Sequence, residues 1–583
     1  MANLFKNPQH SANLGYNGFD MSKRVKFSSS VGQLLPVYYD LLQPGDKVDI
    51  KAEIKTRLMP MNSSAYANIE EHIDFFFVPI EQLYHAFSEF YYGVQDFNSN
   101  FFESSNFRKY FPHFTYAGLA ELLDQIQSSP ANTSKTGAYN YFTGNNYYKD
   151  ALRLLDLLGI NIGKFVSTFT EANYDTIPLL SINPIFLLAY QKIYYDYYRL
   201  NDREANDPYA YNVDKFYSLA NNLLEPNSST AHAAAVKEMC RLHYVPFKKD
   251  FFTNGQISPI FSSDNVSSVP NYDYNAVNQW LTGLADVSLI DVNGEYTSGG
   301  KATAVGIDAS SIVSAGQAVS TASIRTMFAV EKLLEITRRA GKHYDKQTLA
   351  HFGVDVPDGI SGECTFIDGQ QSSIDIGEVF ATAAGVNGES TSVLGEVGGK
   401  GFGRTLGSGK FTANCHGILM GIYYARPSVD YLPTYIDKLH TLVSSADWFK
   451  PEFDELGMQP LFGYQEDFEH NTTLVQNSAI KNWQYRYSEL KTKYDSVHGV
   501  LAHNSQMRSW VIAKNADADE SLSNYLVNPF VINKLFVVGY EGGSYNPSSI
   551  DLSSLFTTDP LIHSCLFDVK KASKMSTYGL PSL

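Results

Sequence analysis

Residues 44–59 read Pro-Gly-Asp-Lys-Val-Asp-Ile-Lys-Ala-Glu-Ile-Lys-Thr-Arg-Leu-Met, and they set the fold class. Pro44-Gly45-Asp46 makes a turn, and the residues after it alternate. Val48, Ile50, Ala52, Ile54 and Leu58 fall on one face, and Lys47, Asp49, Lys51, Glu53, Lys55 and Arg57 fall on the other. Successive side chains of an extended chain point to opposite sides, so this is one long strand with a dry face and a wet face. The run before the turn, Leu34–Leu42, and the later run Ile73–Ile80 (IDFFFVPI) are rich in aromatic and β-branched residues and read as further strands. Together they predict the opening of an antiparallel sandwich or barrel.

Farther out the strand candidates disperse to Phe411–Ala425, Lys534–Val538 and Leu561–Val569. Strands this far apart imply one β-core with long insertions, and the helical patterns fall inside those insertions. Segment 183–199 has Pro184 in its first turn beside an Asn183 cap, and 323–340 places Ile324, Met327, Val330 and Leu334 on one stripe before Gly341. The 324–340 helix and the 44–58 strand are predicted core or interface elements, with Leu334 buried. Shorter helices are predicted near 80–92 and 151–158. Residues 103–150 and 254–320 are weakly patterned and read as functional insertions or mobile loops.

Length alone, 583 residues, suggests about four domains, or fewer for a large all-β shell. The chain is 44% hydrophobic, 14% aromatic and 18% charged, against the usual charged share of about 25%, which excludes a disordered chain, a coiled coil and a collagen-like fibre. A formal charge of −16 means the molecule as a whole is not built to coat nucleic acid, so any such contact is local or delegated to a basic partner. Residues 1–31 read as a polar N-terminal arm whose start lacks the apolar stretch of a secretory signal. The most apolar run, Ile177–Tyr190, is short and interrupted by Ser181, Asn183 and Pro184, so no membrane insertion is expected. Cys240, Cys364, Cys415 and Cys565 lie far apart and fit free thiols from a reducing cytoplasm.

Catalytic and cofactor chemistry finds little support. In the glycine cluster 398–410, Arg404 stands where either a phosphate loop or a dinucleotide fingerprint needs glycine, so the cluster reads as a flexible loop. Cys415-His416, placed inside a predicted strand, favours packing over ligation, and no metal-ligand constellation or nucleophile elbow is present. No catalytic, cofactor or metal residue is assigned. Three basic clusters remain as candidate phosphate contacts: Lys23, Arg24 and Lys26; Arg338, Arg339, Lys342 and Lys346; and Lys570, Lys571 and Lys574. Arg338 and Arg339 equally suit a helix C-terminus. The first and third clusters are the assigned nucleic-acid candidates. Phe567 and Tyr578, beside the third, could stack on bases, although packing suits them better.

Several segments in order resemble one family, the major capsid proteins of microviruses, the small single-stranded DNA bacteriophages, and in particular the gokushovirus-like branch. They are Gly32–Val37 with Leu42–Asp46, Arg57–Met61, Asp74–Pro79 and Lys249–Thr253; then 324–358, Gly463–Glu466, Tyr485–Tyr487 with Val497–Gly499, and Phe567–Lys570 through Met575 to Leu580-Pro581. The resemblance implies a viral jelly roll, an eight-stranded antiparallel barrel with long helix-bearing insertions. It further implies self-assembly into a T=1 icosahedral shell around circular single-stranded DNA, put together in the host cytoplasm. An insertion, 254–320 first and 103–150 second, would form a surface protrusion that meets a host-cell receptor. The acidic balance adds an expected small basic DNA-binding virion protein. The alternative is a carbohydrate-binding or glycoside-cleaving β-protein, which would be a monomer or small oligomer.

Overall fold

The computed structural model describes residues 15–92, 111–116, 147–160, 180–213, 238–257, 344–357, 362–380, 397–466, 480–515, 522–536 and 559–577, apart from scattered positions inside those bounds, with a few isolated residues elsewhere. Its centre is an all-antiparallel sheet of nine strands: β1 (Asn17–Asp20), β2 (Lys23–Ser29), β3 (Leu35–Leu42), β4 (Lys47–Leu58), β5 (Ile69–Pro79), β6 (Thr365–Phe380), β7 (Val397–Thr412), β8 (Gly417–Pro427) and β9 (Leu561–Ser573). The strands run in the order β1-β9-β4-β7-β6-β5-β8-β3, and β2 joins β1 along the free side of β9.

The sheet folds over on itself at β6. The first part of this strand, Thr365–Ile374, pairs with β5, and the rest, Asp375–Phe380, pairs with β7. Two layers therefore face each other, β3-β8-β5 on one side and β7-β4-β9 with β1 and β2 on the other. Ring contacts cross between them, Phe567 to Tyr38 at 5.1 Å, Phe411 to Phe77 at 4.7 Å and His563 to Tyr423 at 4.5 Å. This strongly curled antiparallel sandwich with helical insertions agrees with the sandwich or barrel predicted from the strand patterns and with the jelly-roll-like fold that the family resemblance implies. The turn that opens it is held by Gly45 at φ 93°, a conformation available to glycine at little cost.

The cluster of buried residues that runs from Val31 to Val569 joins both layers to described parts of the insertions, and three smaller clusters lie apart from it. Helix α1 (Tyr147–Leu157) buries Leu152 and Leu155 in it, and α2 (Ile185–Ile193) buries Leu187 and Leu188. Pro184, not the predicted Asn183, is the N-cap of α2, and Asn183 Oδ1 just ahead of it accepts from the Ile185 N–H at 2.9 Å. The Tyr190 hydroxyl donates to the Leu34 carbonyl at 2.9 Å, and Arg153 reaches Asp559 through two bonds of 2.7 and 2.9 Å. The helices predicted near 80–92 are Ile80–Leu83 and Phe87–Tyr92.

Several expectations change. The glycine cluster is strand β7 rather than a loop. Gly399, Gly401, Gly403, Gly407 and Gly409 all point inward, while Lys400, Phe402, Arg404, Leu406, Ser408 and Lys410 point out. A Cβ on Gly401 would stand 2.2 Å from Leu58 Cδ1 of the neighbouring strand, and one on Gly403 would stand 2.9 Å from a Glu71 carboxylate oxygen of the facing layer, so neither position has room for a side chain. The single strand predicted at 411–425 is two, parted by a turn that carries Cys415 and His416. His416 packs on Tyr91 at 4.5 Å and on Phe87 at 5.4 Å. At 534–538 only Leu535 and Phe536 are described, and Phe536 makes a lone bridge to Met61. The described part of the expected 1–31 arm contains β1 and β2. Leu334, most of 323–340, nearly all of 254–320 and most of 103–150 lie outside the described residues.

A polar seam runs between the layers. Glu71 of β5, 0% exposed, accepts from the hydroxyls of Thr56, of Thr405 at 2.7 Å and of Ser372 at 3.2 Å. His563 of β9 sits between the Thr56 hydroxyl at 2.9 Å and the Ser29 hydroxyl at 2.7 Å. Burial raises the Glu71 pKa and pushes that of His563 down to about 3.

Candidate nucleic-acid interface

The outer face of β7-β4-β9-β2 follows from parity and register. Each of these strands turns its even or odd set of side chains inward to the core, and the other set forms rows across the sheet. One row is Phe402–Arg57–Ile562–Ser28, the next Arg404–Lys55–Ser564–Lys26, and the next Leu406–Glu53–Leu566–Arg24. Toward the other end come Ser408–Lys51–Asp568, then Lys410–Asp49–Lys570–Asp20, and last Thr412–Lys47–Ala572–Gly18. With Lys400 and Asp375 at the β6–β7 end, the face carries ten Lys and Arg side chains against five Asp and Glu, in a chain whose net charge is −16.

Four of the five carboxylates are held by neighbours. Glu53 meets Arg404 at 2.8 Å and Lys55 at 3.4 Å, Asp49 meets Lys410 at 3.6 Å, and Lys570 meets Asp20 at 2.8 Å and Asp568 at 3.2 Å. Hydrogen bonds from Lys570 and Ser22 hold the Asp20 carboxyl well below the usual carboxylate range. Arg24, Lys26, Lys47, Lys51, Arg57 and Lys400 have no carboxylate partner among the described residues. Apolar groups stand among these cations: Phe402 is 48% exposed, Leu406 58% and Ile562 49%. Charges that meet phosphate beside apolar surfaces on which bases can rest are the chemistry of single-strand binding.

The six predicted contact residues divide between the two faces. Arg24 and Lys26 point outward within the rows, and Lys570 does so while paired to carboxylates. Lys23 is turned inward, its ammonium 4.8 Å from the Tyr38 ring centroid and 4.7 Å from that of Tyr39, and burial lowers its pKa. Lys571 is 5% exposed and donates to the Leu41 carbonyl at 2.9 Å, with Asp46 at 3.2 Å and Asp40 at 3.6 Å. It ties β9 to the β3–β4 turn. Lys574, just beyond β9, lies 5.8 Å from the Tyr16 ring centroid. Phe567 is buried, and Tyr578 lies outside the described residues. Of the remaining basic cluster, Lys346 is exposed on the helix Tyr344–Phe352, whereas Arg338, Arg339 and Lys342 lie outside the described residues.

Sequence reasoning missed Arg404, Lys400 and Lys410 because they alternate with glycine. It also read Lys51, Lys55 and Arg57 only as a wet face. The available signal was the charge alternation itself, shared by 47–57 and 400–410.

Among the described residues no group of His, Cys, Asp and Glu is arranged to hold a metal, the four cysteines are unpaired, and no helix is long and apolar enough to cross a membrane. Fold and surface together define a β-sandwich protein with a broad, cation-rich outer face. The chain belongs to the capsid protein (F protein) family, whose profile matches residues 10–550. It is similar to the capsid protein VP1 of Chlamydia phage 1, 22% identical over 553 residues that cover 87% of this chain and 88% of the relative. It is also similar to the capsid protein VP1 of Bdellovibrio phage phiMH2K, 26% identical over 278 residues, a stretch covering 46% of this chain and 48% of that relative. The protein is thus a structural, non-enzymatic viral capsid protein related to those of single-stranded DNA phages, and the glycoside-cleaving alternative is set aside.

Proposed function

We propose that copies of this chain, a microviral major capsid protein of the gokushovirus-like branch, close into a T=1 icosahedral shell around circular single-stranded DNA. The basic outer face of β7-β4-β9-β2 is turned toward the genome. The observation that carries the orientation is the excess of cations on this face, mixed with exposed apolar side chains, in a chain that is acidic overall. Arg24, Lys26 and Lys570 stay in the contact set and are joined by Lys51, Lys55, Arg57 and Arg404. Lys23 and Lys571 serve the fold.

The remaining negative charge leaves part of the genome's neutralisation to a small basic virion protein. Repeated identical interfaces let modest contacts per subunit add up to a stable shell. Insertion 254–320, or 103–150 after it, forms the protrusion that meets the host receptor, and assembly takes place in the host cytoplasm without membrane insertion. A reconstruction of particles from the expressed chain tests this reading. The expected result is a closed T=1 shell with Arg404, Lys55 and Lys26 lining the lumen. A stable monomer overturns assembly, and a shell with that row on the outside overturns the orientation.

A further inference from the structure

The geometry points to a site for one nucleotide unit of single-stranded DNA at the corner of this face where β1, β9, β4 and β7 end together, an inference that rests on the DNA-facing reading above. A hollow of about 690 Å³ opens there, within the size range of small-molecule sites. Its cause is the last row of the sheet. Gly18, Ala572 and Thr412 offer almost no outward side chain, while Lys410 and Lys570 of the preceding row stand as a wall, each held in place by a carboxylate.

Lys47, which lines the hollow, has its ammonium 5.2 Å from the ring centroid of Tyr16, a side chain 48% exposed, and the Lys574 ammonium lies 5.8 Å from the same centroid. Neither lysine has a carboxylate partner among the described residues. The β3–β4 turn fixes this group, because a Cβ at Gly45 would lie 3.3 Å from Lys574 Cε and 3.4 Å from the Tyr16 hydroxyl. Both ammonium groups stand over the Tyr16 ring; drawn outward onto the two phosphates that flank a nucleotide, they leave the ring face to one unstacked base, since stacking on a ring accepts any base. A duplex keeps its bases stacked on one another and offers no such unit.

Ultraviolet crosslinking of the full chain to oligothymidylate carrying one 5-iododeoxyuridine, with peptide mapping, tests the site. The wild type is expected to crosslink at Tyr16. Lys47→Glu with Lys574→Glu is expected to abolish that crosslink and to reduce the salt dependence of log K by about 1.4, the value for two lost single-strand phosphate contacts. Lys55→Glu with Arg404→Glu, in the middle of the face, is expected to weaken binding but keep the Tyr16 crosslink. A Tyr16 crosslink that survives the Lys47 and Lys574 changes, or wild-type crosslinks that map only elsewhere on the face, overturn the corner site and leave the DNA-facing reading standing. Absence of binding by the wild type overturns both. Equal crosslinking of a duplex overturns the single-strand preference.

Discussion

The two faces of the β7-β4-β9 layer share one backbone and one hydrogen-bond ladder, yet obey different rules. Inward, Ile50, Ile54, Gly401, Thr405 and Val569 are chosen by volume, and each buried polar atom needs its own partner. Outward, Lys51, Lys55, Arg404 and Lys570 are chosen by sign, and water can replace a missing partner. The same kind of substitution should therefore break the subunit on one side and only retune its surface on the other.

Removal of an interior cation should have the largest effect. Arg153 and Asp559 form a two-bond pair with side chains 9% and 1% exposed, and Ser28 donates to Asp559 at 2.6 Å. Arg153→Met leaves that carboxylate buried and unpaired, so urea unfolding should show a loss of about 3–5 kcal/mol. The double variant Arg153→Met with Asp559→Leu should recover most of it. A single variant as stable as the wild type would show that water reaches the pair, and the contrast between the faces would weaken.

Volume comes next. Gly401→Val forces a side chain onto Leu58 and should cost about 1–3 kcal/mol, whereas Ser408→Val, on the outer side of the same strand, should change stability by less than about 0.5 kcal/mol. Equal effects would refute the inward placement of the glycines.

These residues also mark where the sequence could be read and where it could not. Alternation at 47–58 shows because the inward set is large and apolar, so dry and wet positions contrast. At 399–409 the inward set is mostly glycine, which removes that contrast and imitates a loop. Lys571 looked like a surface charge among Lys570 and Lys574, although its parity with Phe567 and Val569 places it inside. The candidate interface was legible only in fragments. Its rows join residues near 24, 55, 404 and 564, and that register exists only once distant strands pair.

The polar seam makes the interior sensitive to pH. Between the ordinary value of 4.5 and its raised folded value, Glu71 keeps a proton in the folded state that the unfolded chain has released, so its contribution falls as pH rises. His563 works the other way. From about 6.5 down to about 3 the unfolded chain takes up a proton that the buried ring refuses, so its contribution falls as pH drops. Where the windows overlap, above pH 4.5, the two slopes oppose each other. Glu71→Gln should uncover the His563 slope, about 1.4 kcal/mol lost per pH unit on acidification, and His563→Gln should reverse its sign. Unfolding midpoints at pH 5 and 6.5 measure both, and an unchanged profile in Glu71→Gln would mean that its carboxyl titrates at the ordinary value.

The smallest expected change in stability falls on Phe402. Its ring is about half exposed and stands beside Arg57, with Ile562 beyond, on the side of β7 opposite the core. Phe402→Ala should therefore alter unfolding by less than about 0.5 kcal/mol. If bases rest on this face, the same change should weaken oligothymidylate binding by about 1 kcal/mol or more, the scale of one lost stacking contact. Calorimetry and a binding titration on one sample separate the two quantities. A loss of stability without a loss of binding would assign Phe402 to packing and leave phosphate attraction as the only force the outer face supplies.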